Sequence, residues 1–520
     1  MLHRVCPRMA ALLFRRIYDR ISACSSTPYW RCPPLSFLSP GFFLFFPLVT
    51  LFYFLLPQRA RNLWLLVSSW YFYLCAGAGS FLFLLCVLTL TYTGARFLEG
   101  QSGRARRRVL TLLLLLLFGT LFLFKYLGFA LSMLERFLSA AGLSFTSPAL
   151  ELILPAGISF YLFMAAGYLI DVYRGNRPAE RSFLLFALFL SFFPYLLSGP
   201  IGRADTLLPQ FRETHRFSYD GFRSGLLRFL WGAFKKLVIA DRLGMLVTTV
   251  YAAPDQFGRL QVIAAAAAFS IQIYCDFSAY SDMALGCAQA LGFRLMENFR
   301  TPYFSRSIAE FWRRWHISLS AWFRDYLYIP LGGSRRGRTR KYLNILLVFA
   351  VSGLWHGAAL TFVVWGLLNG IYQVAGGLTA RLRARCRQSL RMREDRPLTV
   401  LWQMAVTFVL ATLAWVFFKA GSLSGALSVL RAMLPAGTAL VHPVLASMGL
   451  DRREFLAAAL AGLALLAVDL LSLRGSVRTR VLALPRPLRW LVALILLLCV
   501  FLFGVYGTGY DPQDFIYFKF

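Results

Sequence analysis

Histidine is scarce in this 520-residue chain, and the positions of its five copies narrow the search for chemistry. His3 lies in a basic N-terminal stretch, His215 in a polar segment and His442 before a proline. Only His316 and His356 stand in aromatic, apolar surroundings: Trp312-Arg313-Arg314-Trp315-His316-Ile317-Ser318, and Ser352-Gly353-Leu354-Trp355-His356-Gly357-Ala358. A neutral imidazole takes a hydroxyl proton near neutral pH, which suits a general base for acyl transfer to an alcohol. Gly353, Gly357 and Ala358 would let a substrate or a helix approach His356 closely, and a helix break at glycine frees amide N–H groups for an oxyanion. On chemistry alone two readings of His356 stand: a catalytic base, or a buried histidine bonded to a carbonyl at a helix end. For His316 chemistry alone favours an interfacial histidine beside its two tryptophans.

Other chemistry-bearing residues read as structural. Asp276 and Asp282 are six positions apart, about 600° around an ideal helix, so they project from different faces and do not form a catalytic pair. Each is expected to be neutralised by an arginine or capped by Ser278 or Tyr280. The nine cysteines show no CxxC or Cys/His spacing, so neither a disulfide framework nor a metal site is expected, and no bound cofactor. Asn298, Asn344 and Asn369 could hydrogen-bond within a central cavity, although buried asparagine more often ties membrane helices together. Trp312, Trp315 and Trp322 fit packing or interfacial roles. Trp355, next to His356, is the exception. We take Trp355, Trp315 and Asn369 as candidate substrate contacts.

The elements that must position these residues are membrane helices. Hydrophobic residues make up 58% of the chain and charged ones 15%, which excludes a soluble protein. Apolar segments of span-like length run over Phe42–Leu56, Phe81–Leu98, Val109–Phe124, Leu152–Ile170, Phe183–Leu197, Tyr342–Leu354, Ala359–Tyr372, Leu401–Phe418, Phe455–Leu473 and Leu488–Val505. Between Leu226 and Gly292 such stretches are interrupted by Lys235, Lys236, Asp241, Arg242, Asp276 and Asp282, which predicts tilted, short or re-entrant helices. The total expected is roughly eleven spans in an all-α polytopic protein.

The net charge of +32 is not a nucleic-acid footprint, because the arginines cluster in short loops between spans: Arg104–Arg108, Arg174–Arg181, Arg335–Lys341, Arg381–Arg396 and Arg474–Arg489. The positive-inside rule places those loops in the cytoplasm and the tail from Gly507 on the far side. Residues 1–36 read as an appended basic extension and 37–520 as one membrane domain. Its core, about 222–376, carries the ionisable and aromatic residues that a protein-lined cavity would explain. Within it, Arg306–Phe323 reads as an amphipathic interfacial or re-entrant helix, with positions 312, 315, 316, 319 and 323 on one face, ended by Tyr326, Tyr328 and Pro330.

Four motifs in order carry a resemblance: Gln272-Ile273-Tyr274-Cys275-Asp276-Phe277-Ser278-Ala279-Tyr280-Ser281-Asp282-Met283-Ala284, Glu297-Asn298-Phe299, the Phe311–Gly333 stretch, and Gly353-Leu354-Trp355-His356-Gly357. Together they resemble the membrane-bound O-acyltransferase superfamily, nearest its alginate O-acetyltransferase and D-alanyl transfer branch, from about Ser36 to the C-terminus. The resemblance implies a helical ring with a central funnel, re-entrant helices, His356 as catalytic histidine and His316 as the second histidine of the site. It also implies a cytoplasmic thioester donor such as acetyl-CoA, and an exported polysaccharide as acceptor, reached through an extracytoplasmic partner of the SGNH hydrolase type. The location implied is the bacterial cytoplasmic membrane, among its lipids. D-alanyl transfer to teichoic acid is the alternative within the superfamily. A polysaccharide or lipid-intermediate transporter is the alternative outside it, but it predicts inverted repeats that the sequence does not show.

Overall fold

The computed structural model describes residues 35–146, 148, 154–389, 393, 395–434 and 448–506. Most of the basic extension, His3, His442 and the tail from Gly507 lie outside the described residues. Among those described, the secondary structure is helical throughout. Seven helices are long and apolar enough to cross a membrane: Ala78–Glu99, Gly103–Lys125, Arg259–Ala290, Leu360–Leu378, Pro397–Lys419, Arg452–Ser472 and Arg486–Phe503. Others, such as Pro40–Leu55 and Phe183–Ser191, are apolar but shorter. The expectation of an all-α polytopic membrane protein holds, with its apolar segments divided between full-length and shorter helices.

The chain divides into two compact units, one comprising residues up to 124 with 151–197 and 211–214, the other the remainder. The first unit is held by aromatic packing. Phe42, Phe45, Phe72 and Phe193 meet with ring centroids 5.4 to 6.5 Å apart. Backbone breaks in this unit are closed by side chains, as where Tyr73 donates to the Ala156 carbonyl at 2.6 Å and Ser69 accepts from the Phe193 amide at 3.1 Å.

The second unit contains the chemistry. Its axis is the 32-residue Arg259–Ala290 helix, so the region expected to hold tilted, short or re-entrant helices contains one helix long and apolar enough to cross a membrane. Its charges are neutralised in place. Asp276 pairs with Lys236 at 2.8 Å, and Asp282 with Arg228 at 2.8 Å and Lys235 at 2.7 Å. Both aspartates are neutralised by ion pairs, with lysines sharing the role expected of arginine. A π-helical turn, Lys235–Ala240, widens the backbone between the Tyr219–Phe234 and Asp241–Ala252 helices. It buries the adjacent Lys235 and Lys236 so that each reaches its own carboxylate. The Tyr219–Phe234 helix lies against the long helix at backbone contact. A Cβ on Gly225 would stand 2.5 Å from the Gly286 carbonyl oxygen, and one on Gly286 would stand 2.6 Å from that of Gly225.

Candidate active site: two buried histidines behind a basic cavity

Arg306–Phe323 is not the single helix its pattern suggests. It breaks into Ile308–Arg314 and Ile317–Phe323, and the chain continues through a π-helical turn at Arg324–Tyr328 where an ending was expected. His316 stands at the break with φ 44° and ψ 54°. Left-handed backbone costs a non-glycine residue about 1–2 kcal/mol, so the surroundings must enforce it. They do so through the 298–301 segment: the Arg300 amide donates to the Arg314 carbonyl at 2.9 Å and the Ile317 amide to that of Asn298 at 3.0 Å. Thr301, at φ 44°, is the one other described non-glycine residue with positive φ, and its hydroxyl accepts from Arg314 at 3.2 Å. The break pulls Trp315 inward, where it stacks on Phe311 at 5.4 Å and meets Trp415 at 5.0 Å.

Asn298 sets the state of His316. Its Oδ1 accepts from the Ser318 amide at 3.2 Å and the Ser318 hydroxyl at 2.9 Å, and lies 3.1 Å from His316 Nδ1. A backbone amide can only donate, which fixes that atom as oxygen and makes His316 Nδ1 the protonated nitrogen. The lone pair is therefore on Nε2. Asn298 Nδ2 donates in turn to Ser281 at 3.3 Å, anchoring the arrangement to the long helix.

His356 is the last residue of the Gly337–His356 helix, which packs as a hairpin against Leu360–Leu378. Gly353 and Gly366 allow this: a Cβ on Gly353 would sit 2.2 Å from the Phe362 carbonyl oxygen, and one on Gly366 2.3 Å from that of Phe349. The His356 ring is 4.9 Å from Trp355, 4.9 Å from Trp365 and 5.4 Å from Phe418. Its centroid is 6.4 Å from that of His316, and both residues are buried, at 3% and 0% exposure. Two histidines 40 positions apart thus share one desolvated site. Trp355 lies beside both, 6.0 Å from the His316 ring.

The remaining sequence candidates occupy supporting places. Asn369 accepts from the Trp312 indole at 3.1 Å, tying the Ile308–Arg314 helix to the hairpin, and donates to the Trp365 carbonyl of its own helix at 2.9 Å. Trp315 is enclosed by aromatic rings. Sequence reasoning did not single out Trp365, Trp415 or Phe418, which nothing in their apolar segments distinguishes. It also passed over Lys125, an ionisable residue ending an apolar run, which the cost of charge in membranes would have flagged.

A cavity of about 900 Å³ reaches Asn298 and Ser281 from between the Tyr219–Phe234, Arg259–Ala290, Arg452–Ser472 and Arg486–Phe503 helices. Six cationic side chains line it against three carboxylates. Arg228 and Lys235 are consumed by Asp282 and Glu297, and Arg314 pairs with Glu310. Arg300 and Arg313 have no carboxylate within ion-pair distance among the described residues, and Arg478 bonds a neutral partner, Gln289, at 2.8 Å. The opposite wall is aliphatic, including Val468, Val492, Ile495 and Leu496.

The model of the MBOAT, membrane-bound O-acyltransferase, family matches residues 71–420, a span that contains both histidines. The chain belongs to the membrane-bound O-acyltransferase family. It is thus a multi-pass membrane acyltransferase, and its relatives resolve by degree. The probable alginate O-acetylase AlgI of Pseudomonas putida is 40% identical over 401 residues, covering 76% of this chain and 79% of that protein. The Helicobacter pylori peptidoglycan O-acetyltransferase is 35% identical over 444 residues, covering 78% and 81%. The Bacillus subtilis teichoic acid D-alanyltransferase is 26% identical over 233 residues, covering 43% and 59%.

Proposed function

We propose that this acyltransferase moves an acetyl group from a cytoplasmic thioester, most simply acetyl-CoA, toward an exported polysaccharide across the bacterial inner membrane. The observation that carries the reading is the juxtaposition of His316 and His356 in one buried site, with a basic cavity reaching the asparagine that holds His316. Arg478, on the cavity wall, belongs to the basic Arg474–Arg489 loop that the charge pattern assigns to the cytoplasm. Uncompensated guanidinium groups there suit the phosphates of a nucleotide-linked thioester, and the aliphatic wall suits its pantetheine arm.

In this scheme His356 acts as general base. The acceptor hydroxyl gives its proton to the imidazole as its oxygen attacks the thioester carbonyl. The carbon–sulfur bond then breaks, and the imidazolium returns the proton to the leaving thiolate. His316, tautomer fixed by Asn298, positions the donor from the cavity side. The Gly337–His356 helix begins at the basic Arg335–Lys341 cluster and runs about 30 Å to His356. That length supports an acceptor arriving from the opposite face, either a sugar hydroxyl or a serine of an extracytoplasmic SGNH-type partner. Trp355, beside both histidines, is the aromatic surface against which donor or acceptor would lie, while Trp315 stays enclosed and Asn369 holds Trp312 beside Trp365.

The test is acetate bound to exported polysaccharide in a deletion strain complemented with the native chain or with His356→Ala at matched membrane levels. Acetate restored by the native chain alone supports the reading. Equal acetate from both strains overturns it. Restored D-alanine in place of acetate moves the acyl group to that of the teichoic acid enzymes.

A further inference from the structure

We infer that Lys125 is a positioning residue for His356, which it holds by capping the helix that ends there; the inference rests on the acyl-transfer reading above. The last four carbonyls of an α-helix lack intrahelical donors. Glycine commonly closes such an end in left-handed backbone, turning the chain so that following amides reach back. Gly357 instead leaves the Gly337–His356 helix fully extended, at φ −168° and ψ 156°. The carbonyls are served by side chains from another part of the chain. Lys125 Nζ donates to the Trp355 carbonyl at 2.7 Å and to that of His356 at 3.1 Å, while the Tyr126 hydroxyl donates to Leu354 at 2.6 Å. Three successive carbonyls ending at the proposed base are thereby fixed.

The electrostatics agree. Lys125 has no carboxylate within ion-pair distance among the described residues; it meets these carbonyls and the face of Trp355, 5.9 Å from the ring centroid. A cation is stabilised at a helix C-terminus by the partial negative charge there and by an indole face. On the far side Gly357 is closed in as well, since a Cβ there would stand 2.1 Å from the Phe362 ring. The backbone at His356 therefore has one position available, and the imidazole inherits it. Lys125 touches the backbone of the base and not the reacting atoms, so its effect should fall on turnover and not on donor binding.

The experiment compares Lys125→Met, Lys125→Gln and Lys125→Arg in the full chain, in lipid nanodiscs at equal folded protein. One arm measures acetyl transfer per molecule. Lys125→Met is expected to lower kcat roughly tenfold with the donor KM unchanged, the change that about 1.4 kcal/mol of lost positioning produces. Lys125→Arg, which keeps both cation and donors, should recover most of it. The other arm needs no reaction: deuterium uptake over Gly353–Gly357 should rise in Lys125→Met and stay near native in Lys125→Arg. Lys125→Gln, which keeps a donor, serves where Lys125→Met does not fold. Native kcat in Lys125→Met with native uptake overturns the proposal, as does a defect confined to the amount of folded protein. If the native chain transfers no acetyl group, the functional reading fails, and the uptake arm alone decides the positioning.

Discussion

Asn298→Ala would remove the single oxygen on which the His316 arrangement depends. That oxygen accepts from the His316 ring, the Ser318 amide and the Ser318 hydroxyl inside a fully buried pocket. The hydroxyl can rotate, but the amide and the ring N–H cannot follow the lost acceptor. Each buried donor left unsatisfied costs about 1–3 kcal/mol, so a destabilisation of about 2–6 kcal/mol is expected, seen as a lower unfolding temperature in detergent or nanodiscs. Chemistry should suffer separately. With nothing to hold the proton on Nδ1, His316 samples both tautomers, and losing about 1.4 kcal/mol of orientation lowers the rate about tenfold. Asn298→Asp separates the two effects. The carboxylate accepts from Ser318 as before and restores much of the stability, but beside His316 it favours the doubly protonated ring and occupies the Nε2 lone pair. The assay is transfer of labelled acetyl groups per folded molecule in proteoliposomes. Native turnover in Asn298→Ala, at matched folded protein, would refute a chemical role for the fixed tautomer.

Three further outcomes follow from the packing and charge. Lys236→Met removes the cation shared by Asp241 and Asp276 and should cost about 3–5 kcal/mol, whereas Asp276→Asn leaves the Lys236–Asp241 pair and should cost less; the amount of protein in membranes ranks the two. Gly366→Val drives a side chain into the Phe349 carbonyl and should abolish accumulation, while Gly376→Val, with open space around its Cβ, should accumulate normally. Arg478→Ala and Arg313→Ala should raise the donor KM in a salt-sensitive way with kcat preserved, read from initial rates at two ionic strengths; KM values equal to native would separate the cavity from donor binding.

How much of this was legible in the sequence differs by level. Apolar segments are local patterns, so the membrane class and the helical fold could be read directly. The two histidines stood out because ionisable residues are rare in such surroundings, and the motifs around them led to the family. Position was another matter. The helical period through Arg306–Phe323 could not report a break at His316, because the break is imposed by the backbone and side chains of residues 298–301. The charges of Arg228–Asp282 looked incompatible with a full-length span, yet pairing across helices removes the cost that the linear pattern implied. Lys125 lies 231 positions from His356, and no periodicity links them; their meeting is decided by how helices pack. The sequence by itself determined which groups are available and that they lie in a membrane. Tertiary structure alone decided which of them touch, because hydrogen bonds and ion pairs act over a few ångströms in space, whatever their separation along the chain.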